Sequence, residues 1–329
     1  MNPPRATPEG YIDFLVATPK AATASEAARV QPLGPRAAHH DAFSRLLERL
    51  EPDPEPLWQE ARPQVRLGEG VLVFDDSVLD KPYAKKIELV GRHWSGKHHA
   101  VVQGIDLVSL VWTDGDRIVP CDYRIYHDAK QATKNDHFRA MADIAQARGF
   151  KPECVLFDGW YSSLENLKHL RAKGWRWLTR LKSNRLANKD GQGLRPLFRT
   201  EIAASGTEVW LKGYGLVKVF RIAAPDGSIA HWASDDLSMT DLERLRLAEQ
   251  SWAIETCHRG IKQHAEAEKC QSRSARAQRN HIGMALRAFL RLDCHFFRTG
   301  ISWMQAKASI IWDAVRAYLA NPFIRLSTA

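Results

Sequence analysis

The chain has 329 residues, 44% hydrophobic and 26% charged, which excludes a disordered chain and leaves room for one large domain or two. Its 47 Lys+Arg against 38 Asp+Glu give a formal net charge of +9. That excess favours a polyanionic partner without identifying one, because bound basic side chains release counterions from phosphates. Five scattered cysteines with no CxxC pair, an N-terminus without a basic-then-apolar leader, and no apolar run of spanning length point to a cytoplasmic protein with reduced thiols.

Residues 1–66 are rich in Pro, Ala and charge, with one helical fragment, AFSRLLERL, that ends at Leu50. EPDPEP follows and stops it, because proline lacks the amide donor a helix needs. The segment reads as a short helical lead-in with linker character. Order rises at Gly70, where VLVF (Val71 to Phe74) suits a strand buried on both faces and runs into Asp75 and Asp76. A strand-like stretch from His98 to Leu110 and a second from Ile118 to Tyr126 flank Asp114-Gly115, a hairpin signal because the tight turn needs positive φ. An amphipathic helix follows, with Asn135 as its expected N-cap and Gly149 as its stop.

VLF (Val155 to Phe157) then reads as another buried strand, ending in Asp158; SSLENLKHLRAKG is a helix and WRWLTRL a strand. This order predicts an α/β domain with a mixed sheet over residues 67–181. Residues 182–238 carry six glycines and the strand candidates EVWLKG, LVKVFRIA and IAHWAS, so a β-rich insertion is expected there. Residues 239–329 read as helical throughout.

Acids stand at the three places where a metal site would need them. Asp75 and Asp76 lie just past one apolar strand core, Asp158 ends another, and Glu255 sits on a helix beyond the insertion. A carboxylate at the end of a buried strand has a fixed backbone and an approach for substrate. Neighbours on a strand point to opposite faces, so one of Asp75 and Asp76 should face the site. Glu255, Arg259 and Lys262 are spaced i, i+4, i+7 and share a helical face, on which a plain Glu255–Arg259 ion pair is also expected. Cys257, His258, His264 and Cys270 match no zinc-finger spacing.

VLVFDDSVLDKP, VLFDGWYSSLENLKHL and SWAIETCHRGIKQ resemble the three acidic motifs of the cut-and-paste DDE transposases of bacterial insertion sequences. The likeness runs from about Gly70 to His295. It implies an RNase H-like mixed β-sheet core, a β-rich insertion between the second Asp and the Glu, and a helical C-terminal region. In that family the first Asp precedes Thr or Ser, which selects Asp76, followed by Ser77; the second Asp maps to Asp158 and the glutamate to Glu255. Glu255 and Lys262 keep a Glu-x6-Lys pattern, whereas the upstream Tyr and Arg positions of the family hold Ala248 and Ser251.

The resemblance implies Mg2+ or Mn2+, two ions on Asp76, Asp158 and Glu255, which suits hard carboxylate ligands. Two such ions about 3.5–4 Å apart activate the attacking oxygen and relieve charge on the leaving one. Arg259 and Lys262 would hold phosphates of double-stranded DNA, with Arg the better bidentate grip. A homodimer within a synaptic complex is implied. KPYAKK with GRHWSGKHH, and KCQSRSARAQRNH, are candidate DNA-facing clusters, and Trp210 and Trp232 candidate stacking platforms. The alternatives are an RNase H-like nuclease that cuts without strand transfer, and an inactive DNA-binding relative.

Overall fold

The structure is a computed structural model that describes residues 4–322 apart from 20–21, 33, 36, 97, 128–130 and 225. Lys97, part of one basic cluster, lies outside the described residues. Four strands open the core: β1 (Val71–Asp80), β2 (Gly91–Ser95), β3 (Ala100–Thr113) and β4 (Ile118–Tyr126). Val71 to Phe74 are wholly buried, as a continuous apolar run on an inner strand requires. The chain reverses between β3 and β4 at Asp114-Gly115, where Gly115 has φ +104° and Asp114 Oδ1 accepts the amides of Asp116 and Arg117. This is the expected hairpin.

Helix α5 (Lys134–Ala147), strand β5 (Cys154–Phe157), helix α6 (Leu164–Ala172) and strand β6 (Trp177–Leu181) complete the first half of the core. β1 pairs antiparallel with β3 and β3 with β4, while β5 lies parallel to β1 and β6 parallel to β5. The resulting order β4-β3-β1-β5-β6 is the RNase H-like mixed sheet, with β2 added beside the first half of β3. Both crossovers lie on one face: Phe74 of β1 meets Phe138 of α5 at 4.3 Å between ring centroids, and Arg139 of α5 donates to Asn166 of α6 at 2.9 Å.

The insertion forms β7 (Leu186–Asn188), β8 (Arg195–Pro196), β9 (Thr207–Leu211), β10 (Gly215–Ala223) and β11 (Ile229–Ser234). It is no separate sheet, because β11 pairs antiparallel with β6 and so extends the core sheet. The helical remainder is α7 (Asp241–Gln250), α8 (Trp252–Gln263), α9 (Ala275–Thr299) and α10 (Trp303–Ala320). Within the stretch expected to be helical, α7 ends and α8 begins at Ser251, whose hydroxyl donates to Ala248 O at 2.6 Å. Such a back-bond competes with the helical ladder and bends it. α8 and α9 cover the second face of the sheet: His258 meets Ser109 Oγ at 3.2 Å, and Gly283 leaves room for the Tyr123 ring. Among the described residues no helix is long and apolar enough to cross a membrane.

Residues 1–66 carry four helices, α1 (Pro8–Ala17), α2 (Ala24–Arg29), α3 (His40–Arg49) and α4 (Glu55–Ala61), where the sequence suggests one. α1, α3 and α4 dock on α9, α2 packs on α3, and all four join the core. Tyr11 OH meets His281 Nδ1 at 3.0 Å, and Asn280 Nδ2 donates to Leu47 O and Leu50 O, taking up carbonyls that the end of α3 leaves open. Glu60 accepts from Arg287 at 2.5 Å and from Arg291 at 3.0 Å. A helix that caps another and clamps a third is part of the domain.

Asp293 of α9 is 3% exposed and accepts the Ile118 amide at 3.1 Å. Burial raises its pKa to about 6, against about 3.9 in an unfolded chain. The folded state therefore holds this proton more tightly. The associated stability is complete below about pH 4 and lost as pH rises through about 6. Asp293→Asn keeps the acceptor and removes the charge. It is expected to raise stability at pH 7.5 by about 1–3 kcal/mol and to change little at pH 4, read from urea melts at both. An equal effect at the two pH values would refute this.

Candidate active site

The acidic residues meet because of strand register. β1 and β5 run parallel with Phe74 opposite Phe157, so the next residues, Asp75 and Asp158, stand side by side where β5 ends. β1 continues to Asp80 with β3 as its strand partner among the described residues. The end of β5 therefore opens a notch whose floor is the continuing β1. Asp158 lies in the loop and is exposed; its Oδ1 accepts the Trp160 amide at 2.9 Å, which fixes the turn.

Alternation along β1 divides the neighbouring pair. Asp75 is opposite Ser109, and Ser109 touches His258 of α8, so Asp75 projects on the α8 face. Asp76 shares a face with Phe74 and α5. There Lys134 Nζ lies 2.6 Å from Asp76 Oδ2 and 2.6 Å from Asp106 Oδ2, and Tyr161 OH donates to Asp76 Oδ1 at 2.6 Å. Asp106 has no exposed side-chain surface. Burial, then the charge of Asp76, raises its pKa to about 6 against the opposing pull of Lys134. Lys134 is pushed up: burial works against it, but the two carboxylates prevail.

Glu255 enters from the first turn of α8 and is exposed. Burial, and then the charges of Asp158, Asp76 and Glu255, push the Asp75 carboxyl well above the usual range. For Asp158 the same direction follows from desolvation first and from Asp76. Four carboxylates from three distant stretches thus act on one another. Among the described residues, no three His, Cys, Asp or Glu side chains converge into a ready ligand set. The chemistry fits a hard cation nonetheless: the donors are oxygen anions, they repel one another, and Glu255 is on the surface with rotamers to spare.

Arg259 is exposed on the Glu255 side of α8, and among the described residues the two make no ion pair with each other. Lys262 instead reaches inward. Its Nζ donates to Val78 O of β1 at 2.7 Å and lies 3.8 Å from Glu268. The Glu-x6-Lys spacing therefore ties α8 to the strand that carries Asp75 and Asp76. Gly260 permits the approach of α8 to α9, since a Cβ there would fall inside the Phe289 ring's van der Waals envelope and 3.1 Å from Trp303.

Sequence reasoning missed Lys134, Tyr161 and Asp106. Lys134 opens α5, whose N-cap is Thr133 in a capping box with Asp136 rather than Asn135. Asn135 instead accepts from Asn166 at 2.7 Å. The signal was present as T-x-x-D, a capping box that would have placed Lys134 at the helix mouth. Beside Asp158 stands a rim of cations over aromatic rings: Lys182 Nζ is 5.8 Å from the Trp160 ring and the Arg180 guanidinium 5.1 Å from the Trp232 ring. Trp210 is exposed further out.

Gly260→Ala is expected to lower stability by about 1–3 kcal/mol through overpacking, seen as a lower urea midpoint. An unchanged midpoint would show that α8 and α9 can part there without cost.

The sequence profile of one family, described as DDE superfamily endonuclease, matches residues 11–201, a span that holds Asp76 and Asp158 and ends before Glu255. No curated protein matches. Among solved structures the chain is similar to that in a cryo-EM structure of the piggyBac transposase synaptic complex with hairpin DNA. The identity is 10%, the TM-score 0.54, and the match covers 99% of this chain and 74% of that one. The crystal structure of the Mos1 strand transfer complex also matches, at 13% identity over 54% of this chain and 59% of that one. Its TM-score is 0.20, too loose for any argument.

Proposed function

This chain belongs to the DDE superfamily endonucleases, and we propose that within them it is a DNA transposase, cutting DNA at the ends of an insertion element and joining those ends to a target. One observation carries the reading. Acids from β1, the end of β5 and α8, far apart in the chain, act on one another at one notch in the sheet. A structural ion-pair network would put cations among them in equal number; among the described residues these four carboxylates make one ion pair, Lys134 with Asp76, and the Arg180 charge acts on Asp158. The net negative charge left over suits a bound metal ion.

In this reading Asp76, Asp158 and Glu255 would hold Mg2+ or Mn2+, two ions, with Asp75 beside them on the α8 face. When bound, the ions supply an activated water or 3′ hydroxyl and charge relief on the leaving oxygen. The protein's own residues do the rest. Tyr161 and Lys134 orient Asp76 from the α5 side. The Asp158 turn is locked by the Trp160 amide, and Lys262 holds α8 to β1. Arg259 stands exposed next to Glu255, where a bidentate grip on a phosphate is open to it. The exposed Trp160 with Lys182, and Arg180 on Trp232, offer stacking and charge to DNA beside the cut. Double-stranded DNA is the partner, a homodimer the working form, and the cytoplasm the place.

The test is a supercoiled plasmid carrying the element's ends, with Mg2+. Asp158→Ala and Asp76→Asn are each expected to reduce nicking by at least about a hundredfold while DNA binding by gel shift persists. Asp75 lies on the α8 face with Glu255, so Asp75→Asn measures its claim directly: retained activity keeps Asp76 as the ligand, and a loss larger than that of Asp76→Asn would make Asp75 the ligand. Products that are cut but never joined would favour a plain nuclease. Intact binding with no cutting in Mg2+ or Mn2+ would favour an inactive relative, and Ala248 and Ser251 would be the first positions to restore.

A further inference from the structure

We infer that α10 is a self-association surface, which pairs antiparallel with α10 of a second copy of this chain. The helix is well made and anchored. Ser302 and Gln305 form a capping box at its start. On its inner side the Trp303 ring packs edge-on against Phe289 at 4.9 Å, and Lys307 donates to His264 O at 2.7 Å and Leu15 O at 3.2 Å. Its opposite side is apolar and open. Met304, Ala308, Ile311, Trp312, Val315 and Leu319 recur at i, i+4, i+7, i+8, i+11 and i+15, which places them in one stripe about 100° wide. Met304 is 67% exposed, Trp312 52% and Leu319 68%. A helix ordinarily turns such a stripe to the core; this one turns it outward for about 22 Å.

Three features point to a second copy as the occupant. A two-fold interface requires that residue i meet j and that j meet i. The stripe satisfies this about the midpoint between Ile311 and Trp312, where Met304 would face Leu319, Ala308 would face Val315, and Ile311 would face Trp312, small and branched against large. The flank is neutral towards itself, because Asp313 and Arg316 pair within the helix at 2.8 Å. Two such stripes would remove about 1,000 Å2 from water, the lower bound of a specific interface, and one stripe, about 500 Å2, is of the size at which a monomer's largest apolar patch is often functional. The inference gives a surface to the homodimer named above and rests on that reading for its purpose, yet it needs neither DNA nor metal, so its failure leaves the cutting chemistry untouched.

Sedimentation equilibrium of the full chain without DNA decides it. A dimer is expected, weakened at least about thirtyfold by Trp312→Glu with unchanged far-UV circular dichroism. Val315→Glu should act in the same direction, which guards against one misfolded variant. Ile311→Cys, near the axis, should crosslink to itself on oxidation, whereas Phe198→Cys, exposed in the insertion, should not. A monomeric wild type overturns the inference, as does a dimer that both glutamates leave intact. A wild-type monomer that dimerises only after removal of residues 323–329 would show that the chain's own tail covers the stripe, and overturns it equally.

Discussion

Two parallel strands in register hold the site together. β1 and β5 share four paired positions, and β1 then runs on without β5. Everything acidic gathers at that step: Asp75 and Asp76 on the strand that continues, Asp158 on the one that stops. Burial first, and then like charges at this spacing, make these carboxylates costly to ionise, and the cost appears as the raised Asp75, Asp106 and Asp158 carboxyls. Folding cannot have collected them for stability, since one lysine between Asp76 and Asp106 offsets only part of the repulsion. An arrangement that a protein tolerates against its own electrostatics is more readily explained by what the acids hold than by what they support.

The second face of the sheet keeps Glu255 at that step. α8 is fixed at three points along its length. His258 sits on Ser109, Gly260 lets the helix sink against Phe289, and Lys262 hooks the Val78 carbonyl. α9 behind it is braced in turn by the N-terminal helices through Asn280, Arg287 and Arg291. A rigid helix end presenting a mobile carboxylate suits a metal ligand, because the backbone sets the position while the side chain adapts.

The fold was legible wherever a local pattern had only one structural use. VLVF and VLF could be little else than inner strands, and Asp114-Gly115 fixed the hairpin. The N-terminal helices escaped because their apolar residues come in short groups between prolines: Tyr11, Ile12, Phe14 and Leu15 are buried by distant elements, Tyr11 against Phe43 of α3 and against His281 of α9, some 270 residues away. Short helices are stabilised by tertiary burial more than by propensity, and tertiary burial is invisible to periodicity. The positions of Asp158 at a strand end and of Glu255 on a helix were readable from the sequence pattern. The division of labour between Asp75 and Asp76 was not, since alternation says that the two differ in face but not which face carries which partner. Lys134 and Asp106 enter only once β3 and α5 are placed around β1.

The insertion shows the same logic at larger scale. Gly213, Gly215 and Gly227 adopt positive φ and mark its turns, so its β character was plain, but its attachment was not. Because β11 bonds directly to β6, the insertion is not a tethered accessory that could swing relative to the notch. Arg180 on β6 stacks on Trp232 of β11 across that very pairing, and Thr179 next to it donates its hydroxyl to Phe157 O and Asp158 O. A displacement of the insertion would therefore be felt at Asp158 through two hydrogen bonds and one strand ladder. That continuity fixes the aromatic and cationic rim beside the acids at a distance set by sheet geometry, not by loop flexibility, as the proposed DNA-cutting role would require.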